Sequence, residues 1–146
     1  AYRRQRQMCI ETDRERILSE IVGRGLDPSV RAEVTLMPYG SIAEYDLLEI
    51  PNHFPNVEIL NYAIMPDHLH ILLALGCREV VAEGSRPLPT VSTIIGQYKA
   101  GVSRKCKRAI WQKYYHDHII RNQLDFEETW KYIDNNPLQW VLDGKA

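Results

Sequence analysis

The chain has 146 residues, 18 Lys and Arg against 19 Asp and Glu, a net charge of −1, 45% hydrophobic residues and 25% charged ones. This is the balance of a soluble globular protein, which excludes disordered and fibrous classes and allows one core without disulfides or structural metals. The near-neutral charge gives no whole-molecule field that by itself demands a nucleic-acid partner. No run of roughly eighteen apolar residues occurs, and the basic start AYRRQRQMCIET lacks an apolar core or small-residue cleavage site, so neither membrane insertion nor secretion is expected. Cys9, Cys77 and Cys106 form no C-x-x-C pair, and an odd, scattered set fits reduced thiols and a cytoplasmic location. A single domain over residues 1–146 is the expectation.

In chain order, residues 7–12 are a candidate strand. Asp13 is a candidate N-cap for a helix over 14–22. Residues 31–37 (RAEVTLM) read as a strand closed by the turn Pro38-Tyr39-Gly40. Ser41 then caps a second helix whose stripe, Ile42, Tyr45, Leu47 and Leu48, ends before Pro51. Residues 57–63 and 68–75 read as strands around Met65-Pro66-Asp67, the most apolar part of the chain, and Gly76 to Pro89 reads as a loop. A helix over 90–105, a strand over 114–120 and a helix over 124–135, stopped by Pro137, complete the order β, α, β, α, β, β, α, β, α. That order indicates α+β, an antiparallel or mixed sheet covered by helices.

His68-Leu69-His70 opens the strand HLHILLAL. Side chains alternate at period two, so both imidazoles share one face while Leu69 and Ile71 share the other. Two neutral imidazoles held one strand step apart suit a divalent cation. Taken alone, the pair is equally read as packed or surface histidines. In the helix LDFEETWKYIDNNP, at about 100° per residue, Phe126, Trp130 and Ile133 fall within about 60° and form a core stripe. Tyr132 and Asn136 lie within about 40° of each other and away from that stripe. An amide oxygen from Asn136 is a candidate third metal ligand, and Tyr132 a candidate nucleophile; the alternative is a surface tyrosine beside an Asn-Asn-Pro helix stop.

The segment YAIMPDHLHILL resembles the HUH signature (His, hydrophobic, His) of single-tyrosine transposases. Ile110-Trp111-Gln112, Asp117-His118-Ile119-Ile120-Arg121, and Tyr132-Ile133 followed by Asn135-Asn136-Pro137 are similar in order and spacing to the REP-associated tyrosine transposases, relatives of the small insertion-sequence transposases. The resemblance implies a ferredoxin-like antiparallel sheet with helices on one face and the HUH pair on a central strand. It implies His68, His70 and Asn136 as ligands of a divalent metal (Mg2+ or Mn2+) and Tyr132 as nucleophile. Many insertion-sequence relatives carry Gln where Asn136 stands, one methylene longer. It further implies cleavage and rejoining of single-stranded DNA at hairpin or palindromic sequences through a 5′-phosphotyrosine, and a possible homodimer. The family's first strand is usually longer than residues 7–12.

Lys99, Arg104, Lys105, Lys107 and Arg108 form a basic run that reads either as a phosphate-tracking surface or as a solvated helix face. Tyr98, Tyr114 and Tyr115 are candidates for base stacking or for the core. A second pair, His116 and His118, is read as scaffold, with His118 a supporting or packing group. Two other functions are compatible with this pattern: a non-catalytic nucleic-acid-binding protein of the same fold, and a phosphodiesterase that uses water in place of tyrosine.

Overall fold

The computed structural model describes residues 4–76 and 89–146; the interior of the expected 76–89 loop, Cys77 included, lies outside the described residues. The elements run β1 (Arg4–Glu11), β2 (Ser19–Arg24), β3 (Arg31–Leu36), α1 (Pro38–His53), β4 (Val57–Ile64), β5 (His68–Leu75), α2 (Val91–Cys106), β6 (His116–Ile119) and α3 (Gln123–Leu142). The apolar run of β5 is buried from Leu69 to Ala74, as a strand covered on both faces must be. Its partners are β4 and β1, both antiparallel, and β6 adds to β1, giving the order β4-β5-β1-β6.

Period two on β5 sorts the core into two layers. Leu69, Ile71 and Leu73 pack with Leu47 and Ile50 of α1 and with Ile94, Ile95, Tyr98 and Val102 of α2. On the other face Leu72 packs with Ala63, Met65, Ile133 and Trp140. The expectation of helices on one face therefore holds for α1 and α2, while α3 covers the opposite face, the one that carries the histidines. The first strand is longer than the residues 7–12 read from sequence.

The helix expected over 14–22 is replaced by a hairpin, β2 paired with β3 from Ser19↔Leu36 to Arg24↔Arg31. Arg14 has a positive φ of 64°, incompatible with the first turn of a helix. From residue 19 the burial alternates, with Ser19 and Ile21 inward and Glu20 and Val22 outward; β-branched Ile21 and Val22 suit a strand, and Gly23 and Gly25 disfavour continuing a helix. Pro38-Tyr39-Gly40, expected as a turn, forms the first turn of α1, with Pro38 at a position where its missing N–H costs nothing. Gly40 is required by contact: a Cβ there would overlap the Leu18 carbonyl, which accepts from the Met37 N–H at 2.9 Å.

Both expected proline stops are run through. Pro51 sits in the last turn of α1, and α3 continues past Pro137 to Leu142. Burial explains the second: Trp140 is held in the core with Ile21 and Ile133, and Val141 packs against them, which offsets the loss of one backbone donor. Ile133 is buried as the stripe predicts, whereas Trp130 is half-exposed against Phe126, ring centroids 5.8 Å apart.

Gly40→Ala is expected to lower stability by about 1–3 kcal/mol through overpacking against fixed backbone. Gly96→Ala, on the open face of α2 with nothing within 4 Å of a new Cβ, is expected to be neutral or to stabilise by up to about 1 kcal/mol. Urea unfolding of the two variants checks the contrast.

Candidate active site

The turn between β4 and β5 is fixed from below before any site residue is placed. The Ser19 hydroxyl donates to the Ile64 carbonyl at 2.9 Å, and the Leu18 N–H donates to Pro66 O at 3.0 Å. The Thr12 N–H and hydroxyl both donate to Asp67 O, at 2.8 and 2.9 Å. Asp67 is thereby placed with its carboxylate 2.7 Å from His68 Nδ1. A carboxylate on Nδ1 selects the Nδ1–H tautomer and leaves the Nε2 lone pair of His68 outward.

His70, two residues along the same face, is only 4% exposed. Its Nδ1 lies 3.3 Å from the side-chain amide of Gln7 on β1, and its Nε2 is buried with no hydrogen-bond partner among the described residues. Burial, reinforced by neighbouring His68, pushes its pKa down to about 4, so the ring is neutral at pH 7 and needs no deprotonation to act as a ligand. The amide of Gln7 can face Nδ1 by either end. With Oε1 towards Nδ1–H, Nε2 is the bare nitrogen, as in His68. The two rings stand edge to face, centroids 4.9 Å apart.

The tyrosine helix α3 closes over this pair. The Tyr132 ring is 5.4 Å from the His70 ring at 80°, yet Tyr132 is 56% exposed, so it is anchored on the histidine and open to a substrate. One turn on, the Asn136 Nδ2 donates to the Tyr132 carbonyl at 2.9 Å. Because a carbonyl can only accept, the amide nitrogen is the end tied to the helix and Oδ1 is the end available to a ligand. His68, Tyr132 and Asn136 line one open cleft of about 560 Å³, walled by Met65 and Trp140.

A divalent metal fits this donor set. A buried, neutral, unpartnered imidazole nitrogen is costly unless something binds it. Two imidazole Nε2 atoms are borderline donors and an amide oxygen a hard one, a mixed set that a divalent cation accepts. No cluster of three His, Cys, Asp or Glu that could hold a metal occurs among the described residues; beside the histidine pair, Asn136 offers an amide oxygen to the same cleft as His68.

The basic run is placed elsewhere. All five residues lie on α2 or at its C-terminal end, and α2 covers the sheet face opposite the histidines. Three have intramolecular partners: Lys99 donates to Gln112 O at 2.6 Å, Lys105 pairs with Asp46, and Arg108 reaches Glu15 at 2.6 Å. Arg104 and Lys107 have no ion pair among the described residues. Tyr98 is a core residue whose hydroxyl donates to Ala43 O at 2.8 Å, and Tyr115 bonds Ser92 at 2.7 Å. Tyr114 is exposed beneath Lys113. His118 pairs with Asp125 at 2.9 Å, tying β6 to the first turn of α3, and His116 faces Glu11 at 3.9 Å. Sequence reasoning missed Gln7 and Asp67 as supports of the histidines. Asp67 was visible as the neighbour of His68, but Gln7 meets His70 only through the β1–β5 pairing.

The pKa of about 4 for His70 fixes a pH dependence. The metal-free fold is expected to lose stability as pH falls from the ordinary histidine value towards 4, because the unfolded chain takes up the proton first. NMR titration should show His70 moving near pH 4, and Gln7→Leu should weaken Mn2+ binding roughly tenfold by calorimetry. A His70 ring titrating near its ordinary value, or an unchanged affinity, would contradict this site.

Comparison with known proteins agrees with the fold and extends it. The chain is 28% identical to an uncharacterized protein of Haemophilus influenzae, covering 78% of this chain and 73% of that one. Its fold is similar to that of a REP-associated tyrosine transposase bound to a REP hairpin (TM-score 0.66, 19% identity, 95% of this chain and 71% of that one). It is also similar to a putative transposase from Deinococcus radiodurans (TM-score 0.54, 16% identity, 92% of each chain). Residues 47–136, more than half of the chain and including both histidines, Tyr132 and Asn136, match the model of the IS200-like transposases, and the chain therefore belongs to the IS200-like transposase family.

Proposed function

We propose that this protein is a metal-dependent endonuclease and strand transferase for single-stranded DNA that works through a 5′-phosphotyrosine on Tyr132, at hairpin or palindromic sequences. The observation that carries the reading is the edge-to-face seat of Tyr132 on His70, 5.4 Å between centroids, within one chain. The cleft beside it is open enough for a splayed strand, and the neighbour of similar fold is bound to a REP hairpin.

A divalent ion held by His68, His70 and Asn136 would supply charge stabilisation at the scissile phosphate. The residues of the chain do the rest. The Tyr132 Oη attacks phosphorus in line; the bond to the 3′ oxygen breaks as the bond to tyrosine forms, and that oxygen leaves as a 3′-hydroxyl, taking up a proton equivalent to the one lost by the phenol. The phosphodiester is conserved in the covalent link, so a 3′-hydroxyl attacking the phosphotyrosine rejoins a strand without an external energy source. His70, neutral and buried, seats the tyrosine ring and limits its rotation, which lowers the entropy cost of attack. The Asn136 bond to the Tyr132 carbonyl couples nucleophile and ligand through one helical turn. Because α3 docks on its own sheet, the proposed ligands and nucleophile lie together on one chain.

Incubation with Mn2+ and end-labelled hairpin oligonucleotides should give a DNA-linked protein band that is lost with chelator and reduced at least 1,000-fold in Tyr132→Phe. Cleavage that survives Tyr132→Phe would replace this reading with a water-using phosphodiesterase. Binding without cleavage would leave a nucleic-acid-binding protein of this fold.

A further inference from the structure

Beside the nucleophile cleft lies a smaller one, of about 210 Å³, that shares His68, Trp140 and Lys145 with it and is lined on the far side by Arg14. The Trp140 ring joins the two, 6.3 Å from the His68 ring. It is covered by two cations, the Arg16 guanidinium 4.9 Å and the Lys145 ammonium 5.4 Å from its centroid. The Arg16 Nη1 donates to Lys145 O at 3.0 Å, which fixes the β1–β2 connection against the end of α3. The carboxylates nearby have other partners: Asp67 accepts from His68, Asp143 from Gln139 at 2.8 Å, Glu15 pairs with Arg108, and Glu11 faces His116; Glu11 and Asp67 line the smaller cleft and Asp143 the larger, and they keep their charge. Arg14, Arg16 and Lys145 have no ion pair among the described residues. Three cations without a salt-bridge partner among the described residues thus lie beside the histidine pair, whereas the basic run on α2 lies behind the sheet.

We propose that Arg14, Arg16 and Lys145 form a phosphate-binding rim that holds the backbone of a single DNA strand next to the scissile phosphate. The proposal rests on the nuclease reading above and names the surface on which its substrate lies. Side-chain N–H groups that no carboxylate holds are free to meet phosphate oxygens. Trp140, buried beneath two of the cations, cannot stack a base and instead acts as a fixed platform that holds their heads apart. The positive φ of Arg14 turns the chain at the mouth of the cleft. Phosphate contacts of this kind set register and orientation without reading sequence.

The test is fluorescence anisotropy of a labelled single-stranded oligonucleotide with the full chain in chelator, over a series of salt concentrations. Combining Arg14→Gln, Arg16→Gln and Lys145→Gln should make the slope of log affinity against log salt shallower by about 2, from about 0.7 per lost contact on a single strand. It should also weaken binding at least tenfold at low salt. The charge-preserving combination of Arg14→Lys, Arg16→Lys and Lys145→Arg should keep the wild-type slope, which separates lost charge from misfolding. Arg104→Gln with Lys107→Gln should leave the slope unchanged. The proposal is overturned if the neutral triple variant keeps the wild-type slope, or if the α2 pair carries the loss. Absence of binding by the wild-type chain would instead overturn the nuclease reading on which the proposal stands.

Discussion

The site depends on the two-sided burial of β5. A strand that is apolar on both faces must be sandwiched, and its histidines are then taken out of water along with its leucines. On the face shared with Leu69 and Ile71, α1 and α2 cover the strand with apolar side chains. On the other, α3 seals Leu72 with Ile133 and Trp140 but leaves the edge at His68 open. The same packing therefore makes His70 a neutral donor, leaves its Nε2 without a hydrogen-bond partner among the described residues, and brings Tyr132 against it.

Support for the histidines comes from both directions along the sheet. Asp67 sets His68 from the β4–β5 turn, itself pinned by Thr12, Leu18 and Ser19. Gln7 sets His70 from the neighbouring strand β1. Each acts on Nδ1, so both rings present Nε2 to the same side. The two second partners differ in kind, Asp67 charged and Gln7 neutral, and both are partly buried. The neutral partner is the one that burial tolerates, since a carboxylate against His70 would itself need compensation.

Much of this was legible in the sequence where local signals agree with packing. The bounds of β5, the course of α2 and the shared face of Tyr132 and Asn136 follow from alternation and helical spacing. The hairpin β2–β3 was hidden because Arg14 to Val22 carries helix-compatible residues, and only the pairing with β3 and the docking of α3 decide between the two. The prolines misled for the same reason: a breaker is a local cost of a few kcal/mol, and the burial of Trp140 beyond Pro137 is a comparable gain that only tertiary structure reveals. Gln7 was invisible because its meeting with His70 is a register fact, 63 residues apart in sequence. The basic run on α2 was visible as charge but not as position, since a sequence cannot say which sheet face a helix will cover.

The account stands on a metal bound at the buried Nε2 of His70. Crystals soaked in Mn2+ and measured near the manganese absorption edge give the most direct test. An anomalous peak within bonding distance of His70 Nε2, His68 Nε2 and Asn136 Oδ1, in the cleft under Tyr132, is the predicted result. Full soaking with no peak there, or a peak bound only to surface carboxylates, would contradict it.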